Sequence, residues 1–198
     1  IPGVEFMAVN TVLQSLQLCM ADLTVHIGGD ETRGLGAGAD PSLGFRAAFD
    51  EQDRIKRLLK GSDMVFIAAG AGGGTGTGAA PVIARLARDI GALTVGIVTK
   101  PFLFEGRKRM RQADEGIAEM AKYVDTLIVV PNERLLAVVG KGIPFQDALK
   151  KADEVLLQAT GGISSIITKA GVVNVDFADV RTVMKDGGSA IMGTGVGR

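Results

Sequence analysis

The chain has 198 residues, of which 46% are hydrophobic and 22% are charged, so it can bury a sizeable core and wholesale disorder is excluded. Lysine plus arginine and aspartate plus glutamate both number 22, which gives no general electrostatic case for binding nucleic acid or an anionic membrane. No apolar run in the sequence approaches the roughly 18 residues of a membrane span.

Glycine is the outlier in this composition. There are 28 glycines, roughly twice what an average usage of about 7% gives, and they concentrate in residues 34–38 and 70–78. Clustered glycines predict loops whose backbone approaches another group closely. Cys19 and His26 are the single cysteine and histidine, which excludes an intramolecular disulfide and a thiolate zinc cage. We assign both residues to packing and expect a cytoplasmic protein.

The first half of the chain predicts two short strands, a long loop and a helix before the first fully buried strand. In chain order these are strand 4–9, helix 14–20, strand 23–27, loop 28–40, helix 41–60 and strand 64–69. Pro41 suits the first turn of a helix, and Gly61 is placed to end it. The last of these strands is continuously apolar, as expected when both faces of a strand are covered.

The second half predicts strands and helices that alternate. They are loop 70–78, helix 79–90, strand 93–99, turn 101–104, helix 105–122, strand 126–130, a short helix 133–138, a longer helix from 144 to 160 or beyond, helix 177–184 and strand 189–192. This alternation predicts the α/β class, with a Rossmann-like, mostly parallel sheet and flanking helices. Ligands of such sheets bind at the carboxyl ends of the strands, so the segments that follow strands are the informative ones.

Residues 72–78 contain five glycines and two threonines between a buried strand and a helix. Glycines expose backbone N–H groups without obstruction by Cβ, and a helix N-terminus adds about half a positive charge. A tight crossing of strand and helix would need only about one or two glycines. The segment therefore predicts a binding site for a di- or triphosphate.

Two common phosphate loops do not fit this segment. A Walker loop requires a lysine that reaches the β- and γ-phosphates, and no lysine occurs over residues 61–99. The dinucleotide-binding pattern can be placed on Gly74, Gly76 and Ala79. Its ribose-binding acid is then expected at the end of the next strand, where residues 98–100 contain no acid.

The glycine segment is one of six ordered motifs that resemble bacterial members of the tubulin/FtsZ family of GTPases, over residues 4–195. The resemblance implies a phosphate loop, a γ-phosphate loop, a sugar loop, two guanine contacts and a catalytic loop. In that order, the motifs are residues 72–78, 32–41, 99–106, 130–132, 152–153 and 174–180. GTP and GDP are the implied nucleotides, and Mg²⁺ would bridge their phosphates.

The resemblance implies that one set of residues binds the nucleotide: Ala37, Gly38, Gly72, Gly73, Gly74, Thr75, Gly76, Glu105, Arg109, Asn132 and Asp153. Glu105 would accept from the ribose hydroxyls with Arg109 nearby, although the residues alone favour an exposed i, i+4 ion pair. Asn132 and Asp153 imply guanine, because adenine lacks the donors that a carboxylate accepts from guanine. Without the resemblance, Asp153 is equally a surface acid.

The implied catalytic residues are Asn174, Asp176 and Asp179. In the family this loop enters the nucleotide site of the next subunit, where the carboxylates orient and polarise the attacking water and Asn174 assists. From the residues alone, Asp176 and Asp179 predict only a helix N-cap and a first-turn acid. The resemblance therefore implies a head-to-tail homopolymer whose active sites form at subunit contacts, a heterologous arrangement that gives filaments.

The biological role that the resemblance implies is bacterial cell division, at a cytoplasmic ring at mid-cell. Division proteins of the family bind a C-terminal tail that this sequence does not include. We expect neither binding to nucleic acid nor direct insertion into a membrane.

The family's first strand and first phosphate loop have no counterpart in this sequence. In the family that strand lies between the strands predicted here at residues 4–9 and 64–69, so its absence leaves two rows of backbone groups without partners. We expect residues 1–187 to form a GTP-binding domain that lacks its first strand, and residues 188–198 to begin a truncated second domain. Such a piece of a longer protein is expected to fold poorly alone.

Four residues depart from the family's usual pattern. Val12 replaces an aspartate near the nucleotide, Leu149 replaces a phenylalanine that covers the guanine, Gly161 replaces a glutamine, and Ser165 replaces an acid. Val12 removes a charge from a polar loop, and Leu149 removes an aromatic contact. Two alternatives therefore stay open: a slowly hydrolysing, nucleotide-gated structural polymer subunit and, with less support, a nicotinamide-dependent dehydrogenase.

Overall fold

The computed structural model describes residues 4–139, 142–168 and 177–190. The predictions for Asn174, for Asp176 and for residues 191–198 lie outside these described residues. Within the described ranges, no helix is long and apolar enough to cross a bilayer.

Strands and helices follow the order that the sequence predicts. The strands are β1 (Met7–Asn10), β2 (Leu23–His26), β3 (Met64–Gly70), β4 (Leu93–Lys100), β5 (Thr126–Pro131) and β6 (Gly188–Ala190). The helices are α1 (Leu13–Leu18), α2 (Gly29–Thr32), α3 (Pro41–Asp50), α4 (Gln52–Leu59), α5 (Gly74–Asp89), α6 (Arg107–Ala121), α7 (Asn132–Val139), α8 (Phe145–Thr168) and α9 (Phe177–Met184). A 3₁₀ helix spans Leu103–Glu105.

All strand pairs in the described ranges are parallel. β1 pairs with β2, and the other strands form a sheet in the order β3-β4-β5-β6. Gly70 lies opposite Thr99, and Lys100 lies opposite Pro131, so the carboxyl ends of three strands meet at one edge. The predicted α/β class with a parallel sheet is confirmed, and this edge is where a ligand is expected.

β4 is buried along nearly its whole length and contributes to two apolar cores. Val98 packs in the first core, together with residues of α3 to α6. Val95 and Ile97 pack in the second core, with Ala159 of α8. Helices therefore cover both faces of the larger sheet.

The start of α5 differs from the prediction. The sequence predicts a loop to residue 78 and a helix from Ala79, but α5 begins at Gly74. A Cβ at Gly76 would lie 2.2 Å from the carbonyl oxygen of Gly70, and a Cβ at Gly78 would lie 2.0 Å from that of Pro41. At both positions the close approach of β3 or α3 leaves room only for glycine. This packing outweighs the poor helix propensity of glycine.

Three other boundaries also differ from the prediction. The loop over residues 28–40 contains α2, and the helix over residues 41–60 is interrupted at Glu51, which has φ −98° and ψ 12°. The helix predicted from residue 105 begins only at Arg107. Glu105 belongs to the 3₁₀ helix instead, because Gly106, with φ 101°, separates the two helices. The interruptions at Glu51 and Gly106 each depend on a single backbone conformation, which hydrophobic periodicity does not report.

A cleft of about 1000 Å³ lies between the two sheets, and residues of β1 and β3 line it. In the described ranges each of these strands is an edge of its own sheet. This is the arrangement expected when a strand between them is absent. The division of the chain at residue 188 stays a prediction, although β6 joins the larger sheet.

Candidate nucleotide-binding site

The glycine segment forms the turn between β3 and α5. Gly72 has φ 109°, which other residues rarely adopt, and Gly73 precedes α5 without a side chain that caps the helix. A Cβ at Gly73 would meet no atom within 4 Å, so this backbone borders open space. Gly74 N is already bonded to Gly38 O, so the later amides in the first turn of this 16-residue helix are the ones that can meet phosphate oxygens at the edge of the sheet.

Thr11 forms hydrogen bonds to both predicted phosphate segments, residues 32–41 and 72–78, although no role was assigned to it from the sequence. Its fully buried hydroxyl lies 2.7 Å from Thr75 Oγ1 and accepts a hydrogen bond from Ala37 N at 3.1 Å. A second link joins the same segments, since Gly74 N donates to Gly38 O at 3.2 Å. The available signal was the position of Thr11 directly after β1, at the carboxyl end of a parallel strand.

Thr11→Val keeps the shape of the side chain and removes both hydrogen bonds of the hydroxyl. We expect nucleotide affinity to fall about tenfold, because two bonds of about 0.5–1.5 kcal/mol each no longer hold the segments together. Titration with nucleotide measures the change, and Thr11→Ser, which retains the hydroxyl, is the matched control. Equal affinities for the two variants would show that Thr11 only fills space.

Glu105 and Arg109 form an ion pair, with Arg109 Nη1 3.0 Å from Glu105 Oε1. The other carboxylate oxygen of Glu105 accepts a hydrogen bond from Phe102 N at 2.7 Å. The carbonyl oxygen of Arg109 lies 3.1 Å from the Cβ position of Gly72, so the first turn of α6 adjoins the glycine segment. The geometry therefore shows the ion pair and places it beside the predicted phosphate site.

Asn132 begins α7 directly after β5 and is 6% exposed. Its Oδ1 is buried and has no hydrogen-bond partner among the described residues. An unpaired buried acceptor costs about 1–3 kcal/mol, which a ligand with an N–H donor would remove. Asp153 is exposed on α8, and no side-chain hydrogen bond or ion pair in the described ranges joins it to Asn132. The paired guanine contact stays a prediction.

Asp179 lies at the opposite end of α5 from the glycine segment. It is exposed in the first turn of α9, and two residues later Arg181 Nη2 donates to the carbonyl oxygen of Gly91 at 3.0 Å. Gly91 follows the C-terminal end of α5, whose 16 residues span about 24 Å at a rise of about 1.5 Å each. Asp179 therefore lies near the end of α5 that is remote from the glycine segment of its own chain.

Val12 contacts the predicted γ-phosphate loop. It forms an isolated antiparallel bridge with Leu35, and its Cγ2 lies 2.8 Å from the Cβ position of Gly36. Leu149 is 37% exposed, and Ser165 Oγ donates to Gly162 O at 2.9 Å within α8. The substitution at Val12 therefore changes a residue in contact with a predicted phosphate segment.

Comparison with known proteins connects this site to a family. A family model for the GTPase domain of the tubulin/FtsZ family matches residues 2–140. The chain belongs to the tubulin/FtsZ family. It is 56% identical over 196 residues to the cell division protein FtsZ of Buchnera aphidicola subsp. Baizongia pistaciae, which covers 99% of this chain and 51% of that protein.

Solved structures of tubulin/FtsZ family members share the fold. An empty FtsZ dimer of M. jannaschii matches with a TM-score of 0.89 at 50% identity, over 92% of this chain and 53% of that one. CetZ2 from Haloferax volcanii, solved as a GTPγS-bound protofilament, matches with a TM-score of 0.78 at 28% identity, over 92% of this chain and 54% of that one. The chain spans about half the length of these relatives.

Proposed function

We propose that this chain forms most of the GTP-binding part of an FtsZ-like cytoskeletal subunit that hydrolyses GTP and polymerises head to tail in bacterial cell division. The observation that carries the proposal is the uncapped start of α5 at the glycine segment, joined through Thr11 to the predicted γ-phosphate loop. Family membership supports GTP as the nucleotide. The cytoplasmic mid-cell ring and division proteins as partners follow from the same proposal.

The unpaired Oδ1 of Asn132 supports a base with an N–H donor at the end of β5. Guanine offers such donors at its 2-amino group and N1, and the carboxylate of Asp153 on α8 would accept from both together, which adenine does not allow. Binding of GTP and ATP tests this choice. A suitable protein is a chimera in which this chain replaces the matching part of the Buchnera aphidicola protein. We expect at least tenfold tighter binding of GTP, and equal affinities would contradict the proposal.

Mg²⁺ fits the site only if the nucleotide supplies most of its ligands. No group of three or more His, Cys, Asp or Glu side chains in the described part of the chain is placed to hold a metal ion. Mg²⁺ in nucleotide sites usually keeps several waters and binds phosphate oxygens, with one or two carboxylates at most. Bound in this way, the ion would offset the charge of the phosphates beside Thr75.

The position of Asp179 supports an active site shared between subunits. Since the length of α5 separates Asp179 from the glycine segment of its own chain, a nucleotide on a neighbouring copy is the one that its carboxylate would meet. In a head-to-tail filament the end of one subunit that carries α9 meets the glycine segment of the next. Asn174 and Asp176 complete the catalytic set in this proposal. The dimeric FtsZ structure of M. jannaschii supports self-association in the family.

A slowly hydrolysing structural subunit is the second candidate, and the contact of Val12 with Gly36 favours it. A β-branched apolar side chain against the γ-phosphate loop replaces the charge that the family usually has there. Family membership removes the support for a nicotinamide-dependent dehydrogenase.

Val12→Asp tests the second candidate. If Val12 slows turnover, the substitution restores a polar group at the loop, and we expect kcat for GTP to rise about tenfold in the chimera. Val12→Asn, which is polar but uncharged, separates the effect of polarity from that of charge. A kcat that stays the same or falls would remove this explanation for slow hydrolysis.

A further inference from the structure

A second groove, of about 390 Å³, lies on the helical face between α3, α5 and α6. Its volume falls in the range of about 300–1,000 Å³ that is typical of ligand pockets. Phe45, Pro81 and Val82 contribute apolar walls. The ring of Phe45 is stacked on that of Phe49 with centroids 5.7 Å apart, and Phe45 remains 46% exposed. The groove therefore presents an exposed aromatic surface beside polar groups.

Arg85 is the charged side chain of this groove that lacks an opposite charge. Its Nη2 donates to the neutral amide of Gln52 at 3.1 Å, and its guanidinium lies 5.6 Å from the ring centroid of Phe49. Its Nε is buried without an acceptor, and no ion pair of Arg85 within 4.0 Å is present in the described ranges. A guanidinium binds a carboxylate through two parallel hydrogen bonds, so Arg85 retains the capacity for such a partner.

The acidic side chains of the groove are already paired. Glu119 accepts a hydrogen bond from Lys122 Nζ at 2.6 Å, and this bond raises the pKa of Lys122 above its ordinary value. Glu115 lies 3.8 Å from Arg111. Arg46, the remaining charged side chain of the lining, lies 3.7 Å from Glu31. Within the described ranges, Arg85 is therefore the charged lining residue that has no opposite charge within 4.0 Å.

Gln112 supplies a second unused polar atom. Its Nε2 donates to the carbonyl oxygen of Ala39 at 3.0 Å, while its Oε1 is buried and accepts no hydrogen bond from any described residue. An amide N–H is the donor that would satisfy this oxygen without introducing a charge. The groove thus offers a guanidinium that can bind a carboxylate, an oxygen that can accept a hydrogen bond from an amide N–H, and an apolar surface.

We propose that this groove binds a short acidic peptide segment. The carboxylate of an aspartate or glutamate pairs with Arg85, a neighbouring backbone N–H donates to Gln112 Oε1, and an adjacent apolar side chain packs on Phe45. A simple carboxylic acid supplies the first contact and lacks the amide donor. The match of all three groups favours a peptide.

The groove also adjoins both predicted phosphate segments. Gln112 donates a hydrogen bond to Ala39 of the γ-phosphate loop. Thr77 also lines the groove, and its hydroxyl accepts a hydrogen bond from Gly72 N at 2.8 Å. A bound peptide that shifts Gln112 or Thr77 therefore changes the nucleotide site. This coupling rests on the proposed GTP-binding function, whereas peptide binding itself does not.

The test is a calorimetric titration of the chimera with N-acetyl-Phe-Asp-Leu-amide. We expect saturable binding that weakens at least tenfold when asparagine replaces the aspartate of the peptide, and at least tenfold in the Arg85→Gln variant. Arg88→Gln is the matched control, because Arg88 lies one turn along α5 and does not line the groove. No saturation of the chimera by about 10 mM peptide, or equal binding by Arg85→Gln and the unsubstituted chimera, would overturn the proposal.

A second titration in the chimera, with and without saturating GDP, measures the coupling. We expect the peptide affinity to change at least threefold, and linkage requires the same factor in the affinity for GDP. Equal peptide affinities with and without bound GDP would overturn the coupling. Failure of GDP to bind, with peptide binding intact, would count against the proposed function and leave the groove site standing.

Discussion

Gly78→Ala is expected to destabilise the fold by about 3 kcal/mol or more. The added Cβ would lie 2.0 Å from the carbonyl oxygen of Pro41 and 2.6 Å from Phe45 N, so backbone atoms of α3 would have to move. Overpacking in a core usually costs about 1–3 kcal/mol, and a clash with backbone lies at the upper end because no rotamer relieves it. Urea unfolding of the chimera, with and without the substitution, measures the loss.

Gly73→Ala is the matched control from the same segment. Gly73 has φ −92° and ψ −174°, an extended conformation open to any residue, and its Cβ would meet no atom within 4 Å. We expect stability within about 0.5 kcal/mol of the unsubstituted chimera, together with weaker nucleotide binding because the methyl group enters the phosphate space. Equal destabilisation by the two substitutions would contradict the packing argument. Unchanged nucleotide affinity in Gly73→Ala would contradict the placement of the phosphates.

Asp179→Ala is expected to lower kcat for GTP at least about 100-fold, the range expected when a group that activates water is removed. Affinity for GTP should stay unchanged, because Asp179 is separated from the glycine segment by the length of α5. Phosphate release and nucleotide binding by the chimera, measured in parallel, separate the two effects. Loss of GTP affinity together with kcat would place Asp179 in the nucleotide site of its own chain.

Mixing two impaired variants, at a GTP concentration well below the Kd of Gly73→Ala, sharpens this test. Asp179→Ala retains a complete glycine segment, and Gly73→Ala retains Asp179, so a junction between the two variants in the right order contains one intact active site. In a random equal mixture about one junction in four has this composition. We expect the mixture to hydrolyse GTP faster than either variant alone. A rate equal to the average of the two variants would mean that subunits do not complement one another.

The sequence was sufficient to predict the parallel sheet and its flanking helices. Continuous apolar segments such as β3 and β4 marked buried strands, and α9 begins and ends at the predicted residues, 177 and 184. The start of α5 could not be predicted, because poor helix formers at Gly74 and Gly76 are helical only through contacts with other elements. Local pattern thus located the elements, and packing between elements decided their ends.

The candidate site was predictable where its chemistry is carried by local motifs. The glycine segment and the ion pair of Glu105 with Arg109 are of this kind. Thr11 was not predicted, because its bonds to Ala37 and Thr75 join residues that are 26 and 64 positions away in the chain. The distance of Asp179 from the glycine segment also required the fold, since the length and direction of α5 determine it.

The central claim is that the active site is completed by a second subunit, and the rate of GTP hydrolysis per subunit at increasing protein concentration tests it most directly. The chimera is used, with ATP as the control nucleotide. The account predicts a rate near zero at low concentration that rises steeply above a threshold, with GTP only. A rate per subunit that is the same at every concentration would contradict it, because each chain would then contain a complete active site.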